Sequence, residues 1–555
     1  MSNAREMTES MARSLLEAAL LRLRLSRDGS IRIDEVEGRA IELLLRRGPG
    51  STVDPPVALA PSLPGANEGE ASAFEAGATP WAGKLALEPR AAELMDLELD
   101  LSSVRPEAGE DGVAVLCLDF GTAFTKAYAM RGWSDPVDIS LGSYAGGDSP
   151  LMLESSVWID DDGIHFGPDA TSRTASIPAG RRRFDSMKRR LLDLESGEVR
   201  AEPVSKDLNP FAGEIDFTEL GLLTLYLAYV THLLSTALQA EGLPRHLPRR
   251  LTRPCWNGDS GKSLSSALRL IVAKATIIAD TLGNSLVEGL DPHLAASALA
   301  AVDQVSPDVL SSVVESLLRE DLSEPEAVAA PFEADSDWHF LTVVDVGAGT
   351  TDTATFLLRA HPKWERGKIS LVPGSRASLA KAGDEVDRIL LEILRGELSS
   401  RLDEGDAGGL DAWLSATIRD HKLRLFRDEI VEVEFAGATA MLDLDEFLAS
   451  EGVKRLEGDM VGLLGRSFQA MPANMTKRIV EKGGVRLLLS GGGAGLPMAQ
   501  GLANRPFLVD AGAIWPRITD ARPDWESSKD DEFRSIYPQL AVAVGGASPF
   551  LPEVT

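Results

Sequence analysis

The chain has 555 residues, 44% apolar and 25% charged, so it is too long for one hydrophobic core and too apolar for general disorder; several packed subdomains are expected. A formal net charge of −29 would repel a phosphate backbone, which argues against nucleic acid as a partner. Only two cysteines occur, Cys117 and Cys255, each alone among apolar or aromatic neighbours, so neither a disulfide framework nor a zinc knuckle is suggested and a reducing cytoplasm fits best.

In chain order, Leu15, Leu16, Ala19, Leu20 and Leu23 fall at helical spacing and Ile33 to Leu45 repeats the pattern, so residues 1–47 read as a short helical segment. It carries Glu6, Glu9 and Glu17 where a leader would be basic, and later apolar runs such as Leu341 to Val346 are strand-sized, so neither secretion nor membrane insertion is indicated. Pro49, Pro55, Pro56, Pro61 and Pro64 forbid regular helix, and the stretch from Ala91 to Asp111 is acidic; residues 48–111 therefore read as a flexible linker. At Val113 the chain becomes an apolar strand, a tight polar turn containing Asp119, Gly121 and Thr122, and a returning strand from Phe124. A long helix from Phe217 to Leu243 and further helices between Ser263 and Leu322 follow, which places the body in the α/β class. A second strand, turn and strand runs from Leu341 to Leu358, with Asp345, Gly347, Ala348, Gly349 and Thr350 at its turn. A third glycine cluster, Gly491, Gly492 and Gly493, follows the apolar run Val485 to Leu489.

Each hairpin thus sets an aspartate at the end of a buried strand, then a glycine turn with threonine hydroxyls. Glycine removes the Cβ that blocks a ligand and allows positive φ, so successive N–H groups can converge on an anion. One such turn is also what an ordinary hairpin looks like. Two copies point to a phosphate clamp, with the aspartates holding Mg²⁺ through its water shell. Three consecutive glycines cost backbone entropy, and a strand-to-helix turn has no need of them unless a flat base and ribose lie against the backbone.

In this order the three segments resemble the phosphate-1, phosphate-2 and adenosine motifs of the superfamily of actin, sugar kinases and heat-shock chaperones. Leu153 to Gly167, Phe184 to Leu191 around Lys188, Leu322 to Ala329 around Glu324, and Leu540 to Ala547 are similar to further motifs of the DnaK-like branch, over about residues 113–550. The resemblance implies a two-lobed actin-like ATPase fold of duplicated ribonuclease-H-like domains: lobe I at 112–335 (small subdomain about 150–215, helical insertion about 282–320), lobe II at 336–537 (small subdomain about 381–470), and a closing helix at 538–555. It implies ATP or ADP with Mg²⁺ as cofactors. Asp119 and Asp345 would hold the metal through water, and Gly121, Thr122, Ala123, Gly347, Ala348, Gly349, Gly491, Gly492, Gly493 and Lys422 would contact the nucleotide. Lys188, Glu324, Asp345 and Thr350 would serve slow hydrolysis, Lys188 placing a cation near the γ-phosphate. Taken from the residues alone, Lys188 also fits a solvated basic face and Glu324 a helix-start carboxylate.

The departures are informative. Gly495 stands where the family has an arginine against the adenine, and Arg419 where it has a glutamate, so base recognition is altered; the chain also ends just after the closing motif, with no room for a peptide-binding domain. The expected activity is a nucleotide-driven conformational switch, read by a protein partner through the N-terminal helices or the helical insertion. An actin-like filament protein, a small-molecule phosphotransferase and a nucleotide-binding pseudo-ATPase are the alternatives. Gly261, Lys262 and Ser263 mimic the end of a Walker loop but lack its first glycine. His246 and His421 read as surface or cap residues, and Trp158 and Trp256 as core aromatics.

Overall fold

The computed structural model describes residues 87, 89–91, 93–104, 114–132, 135–174, 181–189, 202–256, 258–332, 339–360, 367–402, 409–520, 522, 529 and 531–554. The helices expected in residues 1–47 and the linker up to residue 86 lie outside them.

A first mixed sheet, its central strands buried on both faces, comprises β1 (Ala114–Phe120), β2 (Phe124–Arg131), β3 (Asp135–Ile139), β4 (Arg249–Arg253) and β5 (Leu322–Ser323). A second sheet comprises β6 (His339–Val346), β7 (Thr351–Arg359), β8 (Lys368–Leu371), β9 (Val485–Ser490) and β10 (Pro516–Ile518). In the first, β1 to β3 form an antiparallel meander, and β4 then β5 add in parallel on the far side of β1. In the second, β6 to β8 form the meander and β9 then β10 add in parallel beside β6. The same order with the same orientations occurs twice, and each copy has its own hydrophobic core, giving two lobes.

Helices cover both sheets. Lobe I carries α1 (Glu219–Ala240), α2 (Gly258–Leu282), α3 (Pro292–Asp303) and α4 (Pro307–Leu317). Helix α1 starts where the Thr218 hydroxyl accepts from Gly221 N–H and is apolar nearly all round, the pattern of a helix enclosed on every side. By length and composition it could cross a membrane, but 89% of its most apolar stretch is buried in the lobe. Helices α3 and α4 begin at Asp291 and Ser306 caps followed by Pro292 and Pro307, and they form the pair expected within 282–320. The Walker-like Gly261 to Ser263 lie inside α2.

The last strand of each copy leads into a helix that packs on the other copy. Helix α5 (Glu324–Ala329) leaves β5 and lies against β6 and β7 of lobe II. Lobe II adds α6 (Gly383–Ser399), α7 (Leu410–Asp428) and α8 (Glu451–Gln469), and its closing helix α9 (Asp531–Gly546) lies against β1 and β2 of lobe I and against α5. These crossed helices form a third core with Cys117, Tyr128, Val343, Phe356 and Leu488 from the two sheets.

Three expectations need correction. The described residues between 87 and 104, read as part of a flexible linker, run along lobe I: Arg90–Ala91 pairs antiparallel with Ile215–Asp216, and Leu87 is fully buried. The closing helix begins at Asp531, not 538, with Pro538 inside it. His246 and His421 are buried, not at the surface, and burial lowers both imidazole pKa values, His246 to about 4.

Candidate functional site

A cleft of about 820 Å³ opens between the lobes, and its lining includes Asp119, Gly121, Thr122, Ala123, Lys188, Glu324, Asp345, Gly347, Ala348, Gly349, Thr350, Lys422, Gly491, Gly492 and Gly493. The two hairpins supply its floor. Asp119 is the penultimate residue of β1 and Asp345 of β6, so each strand carries its carboxylate to the tip of its sheet. The turns meet: a Cβ on Gly349 would stand 2.9 Å from Thr122 Oγ1 of the other lobe.

Glycine serves mostly through its missing Cβ. Positive φ, expected at these turns, occurs among Gly121, Gly347, Gly349 and Gly491 to Gly493 only at Gly491 (φ 83°), where a Cβ would also lie 2.3 Å from Val346 O. Its N–H donates to Pro538 O at 2.7 Å, tying the third glycine cluster to the closing helix. Gly495 is exposed with open space beside it.

The carboxylates are held individually. Asp119 accepts from Lys126 Nζ at 2.7 Å and from Thr252 Oγ1 at 2.9 Å. Burial alone would raise Asp119, but Lys126 and Lys188 hold it below its ordinary value. Asp345 accepts from Ser490 Oγ at 2.6 Å, and Asp352, facing it across the β6–β7 ladder, accepts from Cys255 N–H at 2.6 Å. Lys188 Nζ lies 2.5 Å from Glu324 Oε1, both side chains buried. Glu324 is the first residue of α5, yet the capping role falls to Glu326, whose Oε2 accepts from Ser323 N–H and Oγ at 2.9 and 2.6 Å. Glu324 is thereby left facing Lys188. Burial tends to lower the lysine, but Glu324 and Asp119 keep it above its ordinary value and charged; Glu324 itself is raised by burial, against the pull of Lys188.

Three carboxylates, Asp119, Glu324 and Asp345, thus share the floor with two ammonium groups, Lys126 and Lys188, and a fourth, Asp352, is fully buried opposite Asp345. The floor is short of positive charge, and that deficit suits a divalent cation. Among the described residues no three His, Cys, Asp or Glu side chains are grouped to cage a metal directly. A cation held through waters and a ligand's oxygens is the arrangement this donor set fits.

Burial pushes the Asp345 carboxyl up to about 6, with Ser490 pulling it back and Asp119 and Asp352 adding to the rise. A folded-state pKa above the unfolded value of about 4 means that stability from this group is present at low pH and is lost as pH rises through about 6. Asp345→Asn is therefore expected to stabilise the ligand-free protein by about 2 kcal/mol near neutral pH and by less near pH 5, which thermal melts at the two pH values would measure.

Higher in the cleft, Lys422 pairs with Asp387 at 2.8 Å. Arg419 reaches across the mouth, its Nη2 3.3 Å from Ser186 Oγ in lobe I and 3.7 Å from Asp384, while Ser186 Oγ donates to Asp384 at 2.9 Å. Leu423 stands 64% exposed on the same wall. Lys126, Thr252, Asp352 and Ser490 were not singled out from sequence. The register of the first hairpin could have shown one of them, since β1 and β2 place Lys126 directly opposite Asp119.

The chain matches no protein-family model and no curated protein.

Proposed function

We propose that the cleft binds a nucleoside triphosphate with Mg²⁺ and hydrolyses it slowly, so that the protein is an actin-like, DnaK-like ATPase whose lobe movement is read by a protein partner. The observation that carries this reading is the pair of aspartate-bearing hairpin turns, from two sheets of identical order, meeting at the floor of one interlobe cleft. Two crossed helices at the base of that cleft are what a hinge between such lobes requires.

In this reading the backbone N–H groups of the turns at 121–123 and 347–349 receive the phosphates, while Thr122 and Thr350 add hydroxyls. Asp119 and Asp345 would hold a hydrated Mg²⁺, which when bound would neutralise phosphate charge. Lys188 is fixed by Glu324 close to where charge develops on the terminal phosphate, and Glu324, with its raised pKa, is suited to orient an attacking water. The glycines at 491–493 and the helix bearing Lys422 take the nucleoside. Mass action then converts differential affinity for the open and closed states into a change of lobe population.

The test is calorimetric titration of the full chain with ATP and ADP, with and without Mg²⁺. Micromolar binding that weakens at least about tenfold in Asp119→Asn and in Asp345→Asn is the expected result. No heat at about 1 mM of either nucleotide would overturn the reading.

A further inference from the structure

The segment 87–104 is held to lobe I by a repeated device. Leu87 N–H donates to Asp303 Oδ2 at 2.7 Å, Met95 N–H to Ser297 Oγ at 2.9 Å, and Asp100 N–H to Thr281 Oγ1 at 3.0 Å. In return, Thr218 Oγ1 donates to Leu87 O at 3.0 Å. Each contact joins the backbone of the segment to a side chain of the helical body. Ser297 and Thr281 spend their own protons inside their helices, on His293 O at 2.7 Å and Ile277 O at 2.8 Å, so each turns only a lone pair outward. A row of acceptors on α2 and α3 thus faces the amides of an extended chain, which is backbone recognition without regard to sequence.

Side chains add selectivity. From Met95 to Leu101 the segment alternates apolar and acidic residues; Leu97 and Leu99 pack against the lobe I core while Asp96, Glu98 and Asp100 face outward. Arg245 and His246 flank the buried Asp280, and Arg249 behind them is fully buried with none of its guanidinium nitrogens hydrogen-bonded among the described residues. Asp280 is the counter-charge of Arg249, while Asp100 bears on His246 and, as a like charge, on Asp280. Between residues 93 and 102 no side chain is fully buried, so this stretch is held weakly compared with the sheets.

We infer that lobe I carries a peptide-binding groove on α2 and α3, separate from the interlobe cleft, whose ligand is an extended segment alternating leucine with Asp or Glu, and that residues 93–102 occupy it as a displaceable resident. The resident is tethered, so its effective concentration is of millimolar order, and a partner segment of the same pattern must outcompete it or bind when it is released.

The experiment uses the full chain and a fluorescein-labelled peptide copying residues 91–104. Leu97→Asp with Leu99→Asp empties the groove. Fluorescence anisotropy is expected to show micromolar binding of the peptide to this double variant and at least about thirtyfold weaker binding to the unaltered chain. A peptide with its leucines and acids shifted by one position should bind neither. Equal binding to both proteins, or none to a double variant that retains its circular dichroism, would overturn the inference. Should the double variant fail to fold, hydrogen exchange on the unaltered chain decides. Amides of Met95 and Asp100 are expected to exchange at least about a hundredfold faster than that of Val344 in β6, and exchange at the same rate would show the segment to be an inseparable part of the fold.

Discussion

Lys188→Ala is expected to slow single-turnover ATP hydrolysis by about 10²–10³-fold while changing nucleotide affinity less than about tenfold. The ammonium lies in a buried pair with Glu324 and is kept charged by Glu324 and Asp119, so it needs no reorganisation when negative charge grows nearby. Removing it also leaves Glu324 buried without its counter-ion. Breaking a buried pair on one side costs about 3–5 kcal/mol when the orphan stays charged. Here Glu324 can take up a proton instead, its pKa being already raised by burial, so the loss of stability should be smaller and should grow with pH. The double variant Lys188→Ala with Glu324→Gln separates the roles: a rate no lower than that of the single variant shows the two acting as a unit. Hydrolysis that survives Lys188→Ala unchanged would remove the lysine from the chemistry.

Gly545→Ala is expected to destabilise the protein by about 2–3 kcal/mol, although alanine is normally the better helix former by about 1 kcal/mol. Gly545 sits where α9 crosses α5, and a Cβ there would stand 1.9 Å from Ala327 O. That neighbour is backbone and cannot rotate away, so the helices must part and Glu324 must shift with α5. Gly396 in α6 is the internal comparison, with nothing within 4 Å of its would-be Cβ. Gly396→Ala should gain stability by up to about 1 kcal/mol. Paired thermal melts of the two variants measure both signs; a stabilised Gly545→Ala would refute the tight crossing.

Much of this was legible because it depended on local pattern. The two aspartate turns announced themselves by apolar strands broken by glycine and threonine, and the long apolar run of α1 by its lack of any polar face. The acidity of the docked segment 87–104 reads as a tether, while the period-two alternation of Leu97, Leu99 and Leu101 is what marks it as an extended, packed chain. Lys126 as the partner of Asp119 is fixed by hairpin register alone and so is within reach of sequence. Thr252, Ser490 and Cys255 reach the floor only through tertiary packing of β4, β9 and the loop after β4, and no spacing in the chain encodes that. The charged neighbours Asp420, Lys422 and Arg424 give His421 the look of a wet face, yet its imidazole turns inward against Trp413, ring centres 5.6 Å apart.

The exchange of helices between the lobes bears on how the chain can be divided. A cut between β5 and β6 would not yield two domains. The N-terminal piece would keep α5 and lack the helix that covers its own sheet, and the C-terminal piece would keep α9 while baring β6 and β7. Each fragment would hold the missing layer of the other, so the two would be complements, prone to aggregate when made alone and able to reassemble when made together.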